Sequence, residues 1–162
     1  MPVIILLLII STFSQGQTAT ALWELSSSTT TSVSVTGSIY GQNESFVEVS
    51  INNYTGPNSS QRITTLDGNW PAESQQNDNR YVQFAVSPSA GFNFTVNNVT
   101  MNLGAAGGSN MRANIRYSTD PLFSNPVQLN PSTLVLPNGS FIAPSPDYSI
   151  SETVNDGGTF YL

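Results

Sequence analysis

From Arg80 to Phe123, apolar and polar residues alternate with period two in three consecutive stretches. Val82, Phe84 and Val86 alternate with Tyr81, Gln83 and Ala85. Phe92, Phe94 and Val96 repeat the pattern, and so do Met111, Ala113, Ile115 and Tyr117. Successive side chains of a strand point to opposite faces, so this pattern predicts strands with one face buried and one wet. Pro and Gly turns separate the stretches, and the third ends in Tyr117-Ser118-Thr119-Asp120.

The same reading along the whole chain predicts about ten strands. They fall near 21–25, 32–39, 46–51, 62–65, 81–86, 92–103, 111–118, 133–136, 148–152 and 159–162. No stretch keeps a helical period over several turns. The stretch 92–103 is too long for one alternation: its apolar set moves from Phe92, Phe94 and Val96 to Val99, Met101 and Leu103. A β-bulge or a tight turn at Asn97-Asn98 restores the buried face. The Ser/Thr run Ser26–Thr31 reads either as a short linker or as part of an irregular first hairpin. Gly104–Gly108 opens no helix and is no dinucleotide fingerprint; it reads as a flexible connection or a close backbone approach. The class is all-β, an antiparallel β-sandwich. The half-strand Thr159–Leu162 at the C-terminus reads as a truncated last strand whose edge is unpaired.

The N-terminus changes the setting. Val3–Ile10 is a continuous apolar run followed by the small and polar residues Ser14-Gln15-Gly16-Gln17. It is far short of the roughly 20 residues that span a bilayer as a helix, and its length suits the apolar part of a secretory signal. Residues 1–16 are therefore expected to be a signal peptide and 17–162 a single sandwich domain, secreted or held at the cell surface. No Lys or Arg precedes the run, so the true start lies upstream or the start is misplaced. A buried N-terminal strand is the competing reading.

Composition narrows the chemistry further. The chain has no Cys and no His, and its four basic residues are Arg62, Arg80, Arg112 and Arg116. Ser-His-Asp and Cys-His nucleophiles, His- or Cys-bound zinc and Schiff-base lysines are excluded within it. A net charge of −6 disfavours nucleic acid and anionic membranes as partners. Carboxylate chemistry and oxygen-bound cations remain. A glycosidase needs two facing acids roughly 5–10 Å apart, and no sequence motif places such a pair.

Candidate binding residues follow from side-chain shape. Trp70, in a Gly/Asn/Pro turn, either offers a flat apolar face to a sugar ring or folds back over the end of the sandwich. Tyr40 and Tyr54 flank polar loops and extend such a platform. Trp23 lies in a strand and is expected in the core. Arg112 and Arg116, four apart on a strand, share a face; with Arg80 they form a shallow basic patch for a uronate, whose carboxylate a guanidinium matches bidentately. Pairing with surface acids is the competing role. Asp67, Asn69, Asp78 and Asp156 lie in oxygen-rich turns of the type a structural Ca²⁺ takes, although Asp and Asn also fill turns for their own backbone hydrogen bonds. Asn43, Asn53, Asn58, Asn93, Asn98 and Asn138 open Asn-x-Ser/Thr sequons.

Several short motifs carry a resemblance. They are Leu22-Trp23-Glu24-Leu25, Asp67-Gly68-Asn69-Trp70-Pro71 and Arg80-Tyr81-Val82-Gln83-Phe84, with Gly107-Gly108-Ser109-Asn110-Met111-Arg112, Tyr117-Ser118-Thr119-Asp120 and Gly158-Thr159-Phe160-Tyr161-Leu162. Together they resemble the N-terminal sandwich domain of secreted pectate-lyase-like, polysaccharide-degrading proteins of Bacteroidetes-type bacteria. The resemblance implies a jelly-roll or galactose-binding-like sandwich placed ahead of a catalytic domain of the same polypeptide. These are packing and turn motifs, so no catalytic residue carries over. The expected role is a non-catalytic accessory module, binding a polysaccharide or oligosaccharide; the alternative is a structural or adhesive domain of the cell surface.

Overall fold

The computed structural model describes residues 16–26, 29–52, 60–66, 70, 76–106 and 111–162. Of the residues singled out above, 1–15 of the expected signal peptide lie outside this set, as do Ser27, Ser28, Asn53, Tyr54, Asn58, Asp67, Gly68, Asn69, Pro71 and residues 107–110. The described residues form fifteen strands and no helix: β1 (Thr20–Leu22), β2 (Ser34–Thr36), β3 (Ile39–Gly41), β4 (Ser45–Val47), β5 (Val49–Ile51), β6 (Ile63–Thr65), β7 (Tyr81–Gln83), β8 (Ala85–Pro88), β9 (Phe94–Thr100), β10 (Arg112–Ala113), β11 (Arg116–Tyr117), β12 (Val127–Gln128), β13 (Leu134–Val135), β14 (Asp147–Val154) and β15 (Phe160–Tyr161). Every ladder between them is antiparallel. The chain is all-β and antiparallel, as its period-two pattern predicts. Among the described residues no helix is long and apolar enough to cross a membrane.

Most of the strands form short, separate ladders. β3 and β4 run against β8 and β7, with Gln42 N–H donating to Ala85 O at 2.9 Å between the two stretches. β5 pairs with β6 and β1 with β2. β15 lies on the other side of β8, and Tyr161 also bridges to Ser118 at the end of β11. β11 and β10 then pair with β12 and β13. The terminal strand is therefore not the unpaired edge the sequence suggests: Tyr161 has Ala85 on one side and Ser118 on the other.

The longest ladder is a two-stranded ribbon. β9 pairs with β14, and the pairing continues through Ile142 N–H to Leu103 O at 2.8 Å and the Gly104–Phe141 bridge. Asn97 and Asn98 are both exposed while Val96 and Val99 turn inward, so the phase flips where predicted. No turn splits the strand. The extra residue lies in the partner, where the register shifts between Ser149 and Glu152. The backbone approaches closely at Gly104: a side chain there would run into the Ser140 carbonyl. That settles this end of the glycine-rich stretch as a close approach.

The ribbon lays Phe94, Val96, Val99, Met101, Ile150 and Val154 on Phe160, Leu162, Tyr117 and Leu129. Val154 is 2 % exposed and Phe160 5 %. Tyr117 stacks on Phe160 with ring centroids 5.3 Å apart, and burial of this apolar set stabilises by roughly 25 cal/mol per Å² removed from water.

Further details differ from the sequence reading: the expected strands 46–51, 81–86 and 111–118 are each broken in two, the first at Glu48 with φ +53°. Phe92, expected inside, is exposed because β9 starts only at Phe94. Ala85, expected on the wet face, is buried because β8 lies between β3 and β15. The stretch 32–39 is a hairpin and not one strand: Gly37, at φ +77°, turns the chain between β2 and β3. β12 was not predicted, since Val127-Gln128 is too short to show alternation.

Candidate functional site

An open groove of about 3390 Å³, several times the roughly 300–1,000 Å³ of a pocket for one small molecule, is lined by residues drawn from most of the strands. Its floor holds apolar side chains such as Ile39, Val49, Val86 and Leu136. Its rim is polar. Arg62, Arg80, Arg112 and Arg116, all four cations of the chain, line it together with Trp70. The acids among the described lining residues are Glu24 and Asp78. Four positive charges face two negative ones here, in a chain whose net charge is −6.

One stretch of rim is built in steps from a buried residue. Between Ala113 and Arg116 there are two residues, while their partners Leu134 and Gln128 are separated by five, so the ladder cannot continue. Asn130, 1 % exposed, fills the gap. Its Oδ1 accepts from Ile115 N–H at 2.7 Å, and its Nδ2 donates to Asn114 Oδ1 at 3.0 Å and to Ser132 O at 2.9 Å. A side-chain amide thus takes the place of lost strand pairing. Asn114 Nδ2 then donates to Gln76 Oε1, Gln76 Nε2 donates to Asp78 Oδ1, and Arg116 Nη1 reaches the same oxygen at 3.1 Å. Asp78 is largely exposed, so its ion pair with Arg116 fixes geometry more than it adds stability.

The expected same-face pair behaves in two ways. Arg116 is held by Asp78, whereas Arg112 is exposed and its guanidinium makes no hydrogen bond or ion pair among the described residues. Trp70 keeps 40 % of its surface and donates its Nε1–H to Ile63 O at 3.2 Å. It is neither a sealed plug nor a free platform; its indole is tethered at the groove. Trp23 packs edge-on to Phe84 at 5.2 Å and is half-buried, also lining the groove. Tyr40 is 65 % exposed on β3 and does not line the groove.

The described members of the expected calcium set, Asp78 and Asp156, are placed apart. Asp78 is at the groove; Asp156 sits in the turn between β14 and β15, where its N–H donates to Asn93 Oδ1 at 2.7 Å. Among the described residues no three acids gather as a metal site would require. Asp120 and Asp147 have their carboxyls held below the usual carboxylate range by hydrogen bonds. For Asp120 the donors are Leu122 N–H at 2.9 Å and Ser124 N–H at 3.1 Å. For Asp147 they are Asn98 Nδ2 at 2.6 Å and the Thr100 hydroxyl at 2.8 Å. Both are turn and cross-strand roles, and neither carboxyl itself lines the groove. Tyr117 is pushed above the ordinary tyrosine value by burial first and then by Glu152, whose Oε2 accepts from its hydroxyl at 3.4 Å.

Sequence reasoning missed Asn114, Asn130 and Gln76. Asn114 had a usable signal, lying between Arg112 and Arg116 in the same period-two set. Asn130, in an Asn-Pro-Ser turn, gave no sign of burial. No family model, curated protein or solved structure matches the chain.

Proposed function

We propose that the chain is a non-catalytic, carbohydrate-binding accessory module of a secreted polysaccharide-active enzyme, and that its groove takes an acidic polysaccharide. The observation that carries this reading is the gathering of all four arginines and Trp70 at one groove. Guanidinium groups pair with uronate carboxylates through two parallel hydrogen bonds, while an indole face covers the apolar face of a sugar ring. The polar side chains of Asn114, Gln76 and Arg116 are already held by neighbours, which lowers the ordering cost of binding. The groove's size suits a segment of polymer and not a lone monosaccharide.

The acids at the groove favour binding over hydrolysis, because Asp78 is engaged by Arg116 and Gln76. The wider setting belongs to the same reading: export by residues 1–16, a sandwich of the jelly-roll or galactose-binding-like kind, and a catalytic domain elsewhere in the polypeptide. The ribbon packed on the β15–β11 layer supports the sandwich.

Electrophoresis through gels containing polygalacturonate tests this reading against gels containing neutral galactan. Retardation is expected in the acidic gel and loss of it in the Arg112→Ala, Arg116→Ala double variant. Free migration in both gels and in a panel of other acidic plant and algal polysaccharides would sink the binding role.

A further inference from the structure

Arg112 and Arg116 line the same groove in different states, and Asp78 makes the difference. Asp78 lies in the turn ahead of β7, where Asn79 N–H donates to Asn77 Oδ1 at 3.0 Å and Arg80 N–H to Asn77 O at 3.2 Å. Asp78 Oδ1 accepts from Gln76 Nε2 and from Arg116 Nη1, the latter at 3.1 Å. The ion pair is thus made by one nitrogen and one oxygen. It also stands in water: the Asp78 side chain is 71 % exposed and that of Arg116 30 %. The Arg112 guanidinium makes no such contact among the described residues.

Resting on the reading of the groove as a uronate site, we propose that Asp78 is a built-in competitor for the ligand's carboxylate. In the free protein it occupies Arg116 as a sugar carboxylate would. Arg112 takes a ligand carboxylate directly, and Arg116 takes one only by exchange with Asp78. The exchange runs toward the ligand for two reasons. A carboxylate that meets the guanidinium edge through two parallel hydrogen bonds replaces a contact through one, and an exposed ion pair stabilises little. A lone carboxylate is therefore held by Arg112 alone, whereas an oligomer with adjacent uronates reaches both arginines and moves Asp78 aside. Runs of charged sugars, and not sparsely charged ones, are the class this arrangement selects. Order and charge are separable at Asp78. Asn114 and Gln76 hold this stretch of rim by hydrogen bonds, and an amide oxygen accepts from Gln76 and Arg116 as a carboxylate oxygen does. Asp78→Asn thus keeps the geometry and removes only the negative charge.

Titration of the full chain with an oligogalacturonate tests it in the wild type, Asp78→Asn and Glu24→Gln, Glu24 being the other acid among the described lining residues. Asp78→Asn is expected to bind about fivefold tighter, the equivalent of one exposed ion pair, and Glu24→Gln to change by less than about twofold. A second readout does not depend on the sugar. The rate at which phenylglyoxal modifies Arg116, followed by peptide mass spectrometry, is expected to rise in Asp78→Asn toward that of Arg112. Wild-type binding that Asp78→Asn leaves unchanged or weakens would overturn the inference and leave the groove reading standing, since Asp78 would then only align Arg116. An equal gain in Glu24→Gln, which would mark general charge repulsion, or an unchanged Arg116 rate overturns it as well. No binding by the wild type or by Asp78→Asn would overturn the groove reading itself, and the inference with it.

Discussion

The β9–β14 ribbon and the β10–β13 wall are both antiparallel, yet they are built by different means. The ribbon proper runs from Phe94 to Thr100 against the chain from Asp147 to Val154 and absorbs its one register shift as a single bulged residue. Its inward residues are Phe, Val, Met and Ile, and any similar apolar set would hold it. The wall carries three unmatched residues in its partner strand and depends on one buried amide, Asn130, to close the gap. Regular pairing gives stability without aiming any polar group. The broken ladder costs regularity and in exchange fixes Asn114, Gln76 and Arg116 at the groove. In this molecule the apolar pattern makes the scaffold and single polar side chains make the site.

Substitutions can break either half of that contrast. The largest effect is expected in the scaffold: Phe160→Ala removes the ring that Tyr117 and the ribbon pack against and is expected to cost about 3–5 kcal/mol in denaturant unfolding. Asn130→Ala strands the Ile115 N–H and the Ser132 carbonyl, and about 2–3 kcal/mol is expected to be lost. The two variants differ in a second readout. Asn130→Ala is expected to weaken the proposed uronate binding in the fraction that remains folded, while a mild ribbon change such as Ile150→Val, away from the groove lining, leaves it alone.

Smaller still is the acid limb of stability. The Asp147 carboxyl lies below the ordinary range in the folded chain because Asn98 and Thr100 donate to it. Its contribution is complete above the unfolded carboxyl pKa near 3.9 and is lost as pH falls through the folded value. Asp147→Asn is therefore expected to decline less steeply than the wild type on acidification below about pH 4, Asp120 keeping its own share of the acid limb. A wild-type decline that persists unchanged in this variant would move the acid sensitivity to Asp120, whose carboxyl is lowered by the Leu122 and Ser124 amides.

The same contrast explains what the sequence reveals. Alternation around Phe94, Val96, Val99 and Met101 exposes the ribbon, and even the position of its phase flip, because burial acts on every second residue. It does not tell which strand bulges, since that depends on a partner about fifty residues away. The arginine pair is legible from its spacing; that Arg62, Arg80 and Trp70 line the same groove is not, because the pairing of β5 with β6 and of β4 with β7 brings them there. Asn130 was invisible for a physical reason. Asn is a surface residue by default, and only the segments closing over it bury it.

The central claim is that carboxylates on a sugar chain are what the groove recognises. Calorimetric titration with an oligogalacturonate and with the same oligomer after reduction of its carboxyl groups tests it directly. Binding of the acidic form that disappears on reduction, and disappears in the Arg112→Ala, Arg116→Ala variant, is the expected result. Equal affinity for the two oligomers, or no heat with either, would contradict it.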